Sequence, residues 1–164
     1  MNIVKYNFLK GFILRLVLTL IIFSVLPNFK LNKYYYIILP ILLIILDLID
    51  GIFVVILKEY QKEKNKNNLF DNFYHLNDKI IDSLSYLFVW YIFKLDYKYL
   101  FLILYRFIGV YYFYYTNNKK IFTLFPDLFK EYLIVDGLFN SNNYIVYIIV
   151  LFIKMIFEYL FHGN

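Results

Sequence analysis

Long runs of apolar residues dominate the chain and set what it can fold into. They are Phe8–Leu26, Tyr34–Leu57, Asp78–Phe93, Tyr97–Tyr115, a broken stretch Ile121–Phe139 and Asn143–Phe161. A helix that crosses a bilayer needs about 20 mostly apolar residues. Over 164 residues the chain is 62% hydrophobic, above the roughly 45–50% of ordinary soluble domains. The runs therefore predict an all-α fold: an integral membrane bundle of about six transmembrane helices, forming one domain over residues 1–164. The first run is too long for a signal-peptide core and lacks a small-residue cleavage pattern after it, so it is read as a retained helix.

Charge placement orients this expected bundle. Lys5 and Lys10, then Lys58, Lys62, Lys64 and Lys66, then Lys119 and Lys120 fall on one side of a six-helix path. Lysine-rich short loops stay in the cytoplasm, so both termini and the Lys-rich loop 58–77 are expected there, in a multi-pass protein. The formal net charge of +5 is carried mainly between apolar runs, which argues for headgroups and topology and against nucleic acid. There is no Cys, so disulfides and thiolate metal sites are excluded. Glycine-rich phosphate loops, hydrolytic Ser/His/Asp signatures and His/Cys zinc spacings are absent too. Tyrosine-rich stretches such as Tyr111–Tyr115 read as interfacial belts.

Four carboxylates stand out against this background. Asp47 and Asp50 lie late in the second run, and Asp78 and Asp82 open the third. Steps of three and four put each pair on one helix face, and charge in an apolar run is costly enough to point to a working site. Two such helices face to face would gather four hard oxygen donors of the kind that Mg²⁺ or Mn²⁺ prefer, often bridging to substrate phosphates. A carboxylate left free of metal could serve as a general base toward an alcohol. Gly51, one turn beyond Asp47, leaves room for a ligand.

In this arrangement the chain resembles the CDP-alcohol phosphatidyltransferase family. That signature runs Asp, two residues, Asp-Gly, two residues, Ala-Arg, a spacer, Gly, three residues, Asp, three residues, Asp. Asp47, Asp50, Gly51, Asp78 and Asp82 match it in order and local spacing. Val54-Val55 replace Ala-Arg, Tyr74 replaces the second Gly, and the spacer is longer. The resemblance implies a membrane phospholipid-synthesis enzyme that moves a phosphatidyl or phosphoalcohol group from a CDP-linked donor to an alcohol acceptor, releasing CMP. It implies Asp47, Asp50, Asp78 and Asp82 as ligands of Mg²⁺ or Mn²⁺, with Asp82 also the base, and an active site on the cytoplasmic side. Lys58, nearly at the helical azimuth of Asp47, is a candidate to replace the missing Arg in substrate binding. Arg106, inside the fourth run, is a candidate for the acceptor's phosphate, as later basic residues are in that family. Its members are often dimers, so a homodimer is compatible with the resemblance, although the chain carries no independent dimer motif.

Other residues carry weaker readings. Asp71, His75, Asp78 and Asp82 would share one face if the third helix began early, which would bring His75 toward the site. Ser85 fits a backbone bond within its helix. Arg106 has the alternative of pairing with Asp127, Glu131 or Asp136, and Glu158 has no assigned partner. Two other functions compete with the enzyme: an inactive homologue of the same fold, and a small cation channel or carrier.

Overall fold

The computed structural model describes residues 3–28, 34–62, 68–139 and 144–162, with side chains described over 10–27, 34–48, 75–139 and 144–160. Within these the chain is all-helical. Helix α1 spans Ile3–Val25, α2 Tyr35–Lys62, α3 Asn68–Phe93, α4 Tyr97–Thr116, the single turn α5 Ile121–Leu124, α6 Phe129–Phe139 and α7 Tyr144–His162. Each apolar run has become a helix or, for the broken stretch, a pair. Pro126 divides that pair, because proline cannot donate to a helical ladder and turns its predecessor away from helix. Asp127 then accepts the amide of Phe129 at 3.3 Å, capping the first turn of α6. At the other end of the broken segment α4 stops at Asn117, whose φ of 51° is left-handed and whose amide bonds back to Phe113 at 2.8 Å.

The helices pack through the faces that their sequence periodicity dictates. Leu39, Leu43 and Leu46 on α2 are buried, as are Tyr86 and Val89 on α3, Tyr99 and Ile103 on α4, and Phe129 and Leu133 on α6. Spacings of three and four put each set on one stripe. Helix α2 lies against α1 and α6, α3 against α1 and α4, and α5 and α6 against α7. Close approach at two points depends on glycine. A Cβ on Gly137 would meet Ile37 at 2.8 Å, and one on Gly109 would collide with the Cβ of Phe125.

The membrane-spanning expectation is corrected. Among the described residues no helix is long and apolar enough to cross a membrane, so a transmembrane bundle is not supported and an integral, multi-pass location with a cytoplasmic site is contradicted. The physical reason lies in length and charge. At 1.5 Å per residue the eleven residues of α6 reach about 16 Å, half of a hydrocarbon layer of about 30 Å. Ionisable side chains are spread through the others: Lys98 and Arg106 in α4, Lys154 and Glu158 in α7, and Asp78, Lys79 and Asp82 in α3. Helix α3 also begins ten residues before the run that announced it, and α2 continues to Lys62, so helix takes up most of the expected 58–77 loop.

Candidate functional site

The buried stripe of α1 reads Phe12, Arg15, Thr19 and Phe23, in steps of three, four and four. Arg15 is therefore driven into the interior with the apolar side chains around it, and it is 1% exposed. A buried guanidinium must be paired. On α2 the stripe Leu39–Leu43 is continued by Asp47, four residues on. On α3 the stripe of Tyr86 and Val89 is preceded by Asp82 and Asp78. Three helices thus bring their charged positions to one level of the bundle.

There the Nη2 of Arg15 donates to both Asp47 and Asp82, and its Nη1 reaches Asp78 at 3.3 Å. Lys79 bridges Asp78 at 2.8 Å and Asp82 at 3.7 Å. Lys130, from α6, bonds Asp47 and stands 3.9 Å from Asp127. Asp127 in turn accepts from the hydroxyl of Tyr86 at 2.5 Å. Three of the four signature acids therefore meet at one centre. Asp50, the fourth, lies within α2 with Gly51 and Lys58, but their side chains are outside the described residues, so their site roles are not placed.

The centre is a mixed cluster. Asp47, Asp78, Asp82 and Asp127 face Arg15, Lys79 and Lys130 in direct ion pairs. Burial alone would raise the pKa of Asp82, but Lys79, Arg15 and Lys130 outweigh it and hold this carboxyl well below its usual range. Asp127 behaves alike, its burial overcome by Lys130 and Arg106. Lys130 is driven up, since Asp127, Asp82 and Asp47 overcome the effect of its burial. Asp47 goes the other way. Burial, reinforced by the charge of Asp82, pushes it to about 7 despite Lys130 and Arg15. A general base works best with a pKa near the working pH, so Asp47 is better matched to proton transfer than Asp82.

That shift has a measurable consequence. Folding favours the protonated form of Asp47, so its stabilising contribution is full below its ordinary pKa of 3.8 and is lost as pH rises through about 7. The melting temperature of Asp47→Asn minus that of the wild type should therefore climb between pH 4 and 7 and level off above. Thermal melts by circular dichroism in chelated buffer across that range check it. A flat difference would show that Asp47 titrates normally.

As metal ligands, the described acids supply hard oxygen donors from two helices at a point that already holds a cation, the guanidinium of Arg15. Their donor chemistry fits Mg²⁺ or Mn²⁺. As arranged, however, no group of three or more acids or histidines is set to hold a metal among the described residues. Arg15 takes that place.

Arg106 is buried on α4, away from any direct ion pair among the described residues. Its Nη1 donates to the carbonyl of Phe125, its guanidinium lies 4.6 Å from the Phe122 ring centroid, and its Nε has no hydrogen-bond partner. It ties α4 to α5 and the residue that follows it. Asp136, an alternative partner for it in the sequence, instead accepts from the hydroxyls of Tyr99 and Tyr147 and pairs with Lys98 at 2.6 Å. His75 is half-buried on the same helix as Asp78 and Asp82.

Sequence reasoning missed Arg15, Lys79 and Lys130 as members of the site. The available signal was the one that singled out Arg106, an arginine inside an apolar run, applied equally to Arg15 and joined to the periodicity of its neighbours. Searches of protein-family patterns, of curated proteins and of solved structures find nothing that matches the chain.

Proposed function

We propose that the chain is a phosphotransferase that moves a phosphoalcohol or phosphatidyl group from a CDP-linked donor to an alcohol. The observation that carries this reading is the convergence of Asp47, Asp78 and Asp82, three acids in the family's register, on one buried centre. Asp47, Asp78 and Asp82 would hold Mg²⁺ or Mn²⁺, with Asp50 the further candidate from the signature. When bound, such an ion offsets the charge of the donor's pyrophosphate and sharpens its phosphorus as an electrophile.

The remaining roles belong to the chain. Lys79 and Lys130 offer ammonium groups to phosphate oxygens, which gain charge as the transfer proceeds. The acceptor oxygen bonds to phosphorus, the bond between that phosphorus and the bridging oxygen of CMP breaks, and CMP leaves with the bond's electrons. The hydroxyl proton passes to a carboxylate of the cluster. Register points to Asp82 for this step, and acidity points to Asp47.

Purified protein supplied with Mg²⁺ or Mn²⁺, a panel of CDP-linked donors and simple alcohols should release CMP. Whichever of Asp82→Asn and Asp47→Asn removes the base should lower kcat by about 10²–10⁴-fold. Absence of CMP with every donor and acceptor would overturn the proposal. It would favour a second reading, an inactive relative of the same fold, which has its own support: Arg15 already satisfies the acids, so the cluster can serve as a brace between α1, α2 and α3.

A further inference from the structure

A recess of about 830 Å³ lies between α6 and α7, with Ile134, Ile153 and Phe157 among its walls and Glu131, Lys154 and Glu158 as its ionisable groups. Sites for small organic ligands span roughly 300–1,000 Å³ and combine apolar walls with a few placed polar groups. This recess has that make-up. Ile153 and Phe157 are each about half exposed, as wall residues of an open cavity should be.

What such a cavity takes depends on the charge at its polar end. Lys154 donates to Oε1 of Glu131 at 2.5 Å, so these two groups answer each other. Glu158 is itself engaged within the protein. Burial, reinforced by the charge of Asp127, raises the pKa of Glu131 in spite of Lys154. An anionic head would add negative charge beside a carboxyl that already resists ionising. A cationic head would face the ammonium of Lys154 and find Glu131 already engaged. Either would leave water without a counter-ion to receive it, which is costly. A neutral oxygen escapes both penalties. An ammonium has three donors; Lys154 spends one on Glu131, and its side chain is 26% exposed, which leaves the others within reach of a ligand. A hydroxyl accepts from one of them and brings no charge.

We propose that the α6–α7 recess is a binding site for a neutral amphiphile, a long-chain alcohol whose hydroxyl accepts from Lys154 and whose hydrocarbon body lies between Ile134, Ile153 and Phe157. None of the lining residues belongs to the acid cluster, so the site does not rest on the phosphotransfer reading. Neither the resemblance nor the sequence pattern pointed to it. Glu131 entered the sequence reading only as an alternative partner of Arg106, and Lys154 did not enter it.

The test uses isothermal titration of the full chain with decanol, decylamine and decanoate, each kept below its solubility and micellar limits. Decanol should bind saturably at one site, at least about tenfold tighter than either charged analogue, since each of those must bury a charge that the recess does not answer. Lys154→Met, which keeps an unbranched side chain and removes the donors, should weaken decanol by about tenfold, the worth of one hydrogen bond to a charged group. Ile153→Trp, which fills the recess from a partly exposed wall position, should abolish decanol binding while α-helical content is retained. Equal or tighter binding of the amine or the carboxylate, unchanged decanol affinity in Lys154→Met, or unchanged decanol binding in Ile153→Trp would each overturn the proposal. CMP release is scored separately, so a failure here leaves the phosphotransfer reading where it stood.

Discussion

Replacing Arg15 by Leu should destabilise the protein by about 3–5 kcal/mol, the usual cost of stripping one partner from a buried ion pair. At the size of this chain that corresponds to a fall in melting temperature of roughly 10 °C. The side chain is 1% exposed and answers Asp47, Asp78 and Asp82 together, so its loss leaves these three acids to be balanced by Lys79 and Lys130 alone. The penalty comes from the buried acids left short of positive charge, with little from lost volume. Removing an acid at the same time, in Arg15→Leu/Asp82→Asn, should therefore recover part of the loss, and thermal melts of the single and double variants measure it. The same variant also tests the metal. If the acids bind Mg²⁺ or Mn²⁺, millimolar ion should raise the melting temperature of Arg15→Leu more than that of the wild type, because the competing cation is gone. A variant that melts like the wild type would show that the acids do not depend on Arg15.

Truncating Phe129 to Ala should cost about 3–5 kcal/mol, the range for deleting a large buried aromatic. Phe129 is 1% exposed, stacks on Tyr86 with ring centroids 4.5 Å apart, and meets the edge of Tyr99 at 5.5 Å. It is the point where α6 is seated on α3 and α4. The loss should also reach the charged centre, because Tyr86 bonds Asp127 and the Phe129 amide is capped by the same carboxylate. Denaturant unfolding followed by circular dichroism measures the change. Phe129→Leu, which keeps most of the apolar volume, should lose much less. Equal losses in the two variants would mean that the ring stack, and not its apolar bulk, carries the stabilisation.

Much of this arrangement could be read from residue spacing. Runs such as Tyr34–Leu57 and Tyr97–Tyr115 announced α2 and α4 to within a few residues, since apolar content and the position of proline are local properties. The start of α3 was misplaced because Asn68–Asn77 is polar and aromatic, and it reads as linker until the helix it belongs to is known. The membrane assignment failed at a different level. Hydropathy averages over a run, whereas among the described residues no helix is both long and apolar enough to cross a membrane.

That Asp78 and Asp82 share a face was legible in the sequence alone, because a step of four on a helix brings two residues to one side. The stripe Phe12, Arg15, Thr19 and Phe23 carried the same kind of signal for Arg15, but its burial was read only from the structure. Tertiary structure decided who answers whom. That Arg15 stands between the acids of α2 and α3, and that Lys130 arrives from 83 residues beyond Asp47, follows from how α1 and α6 pack on α2. A contact across such a separation leaves no trace in local periodicity. Charge is long-ranged only after the chain has folded, when burial removes the water that screens it.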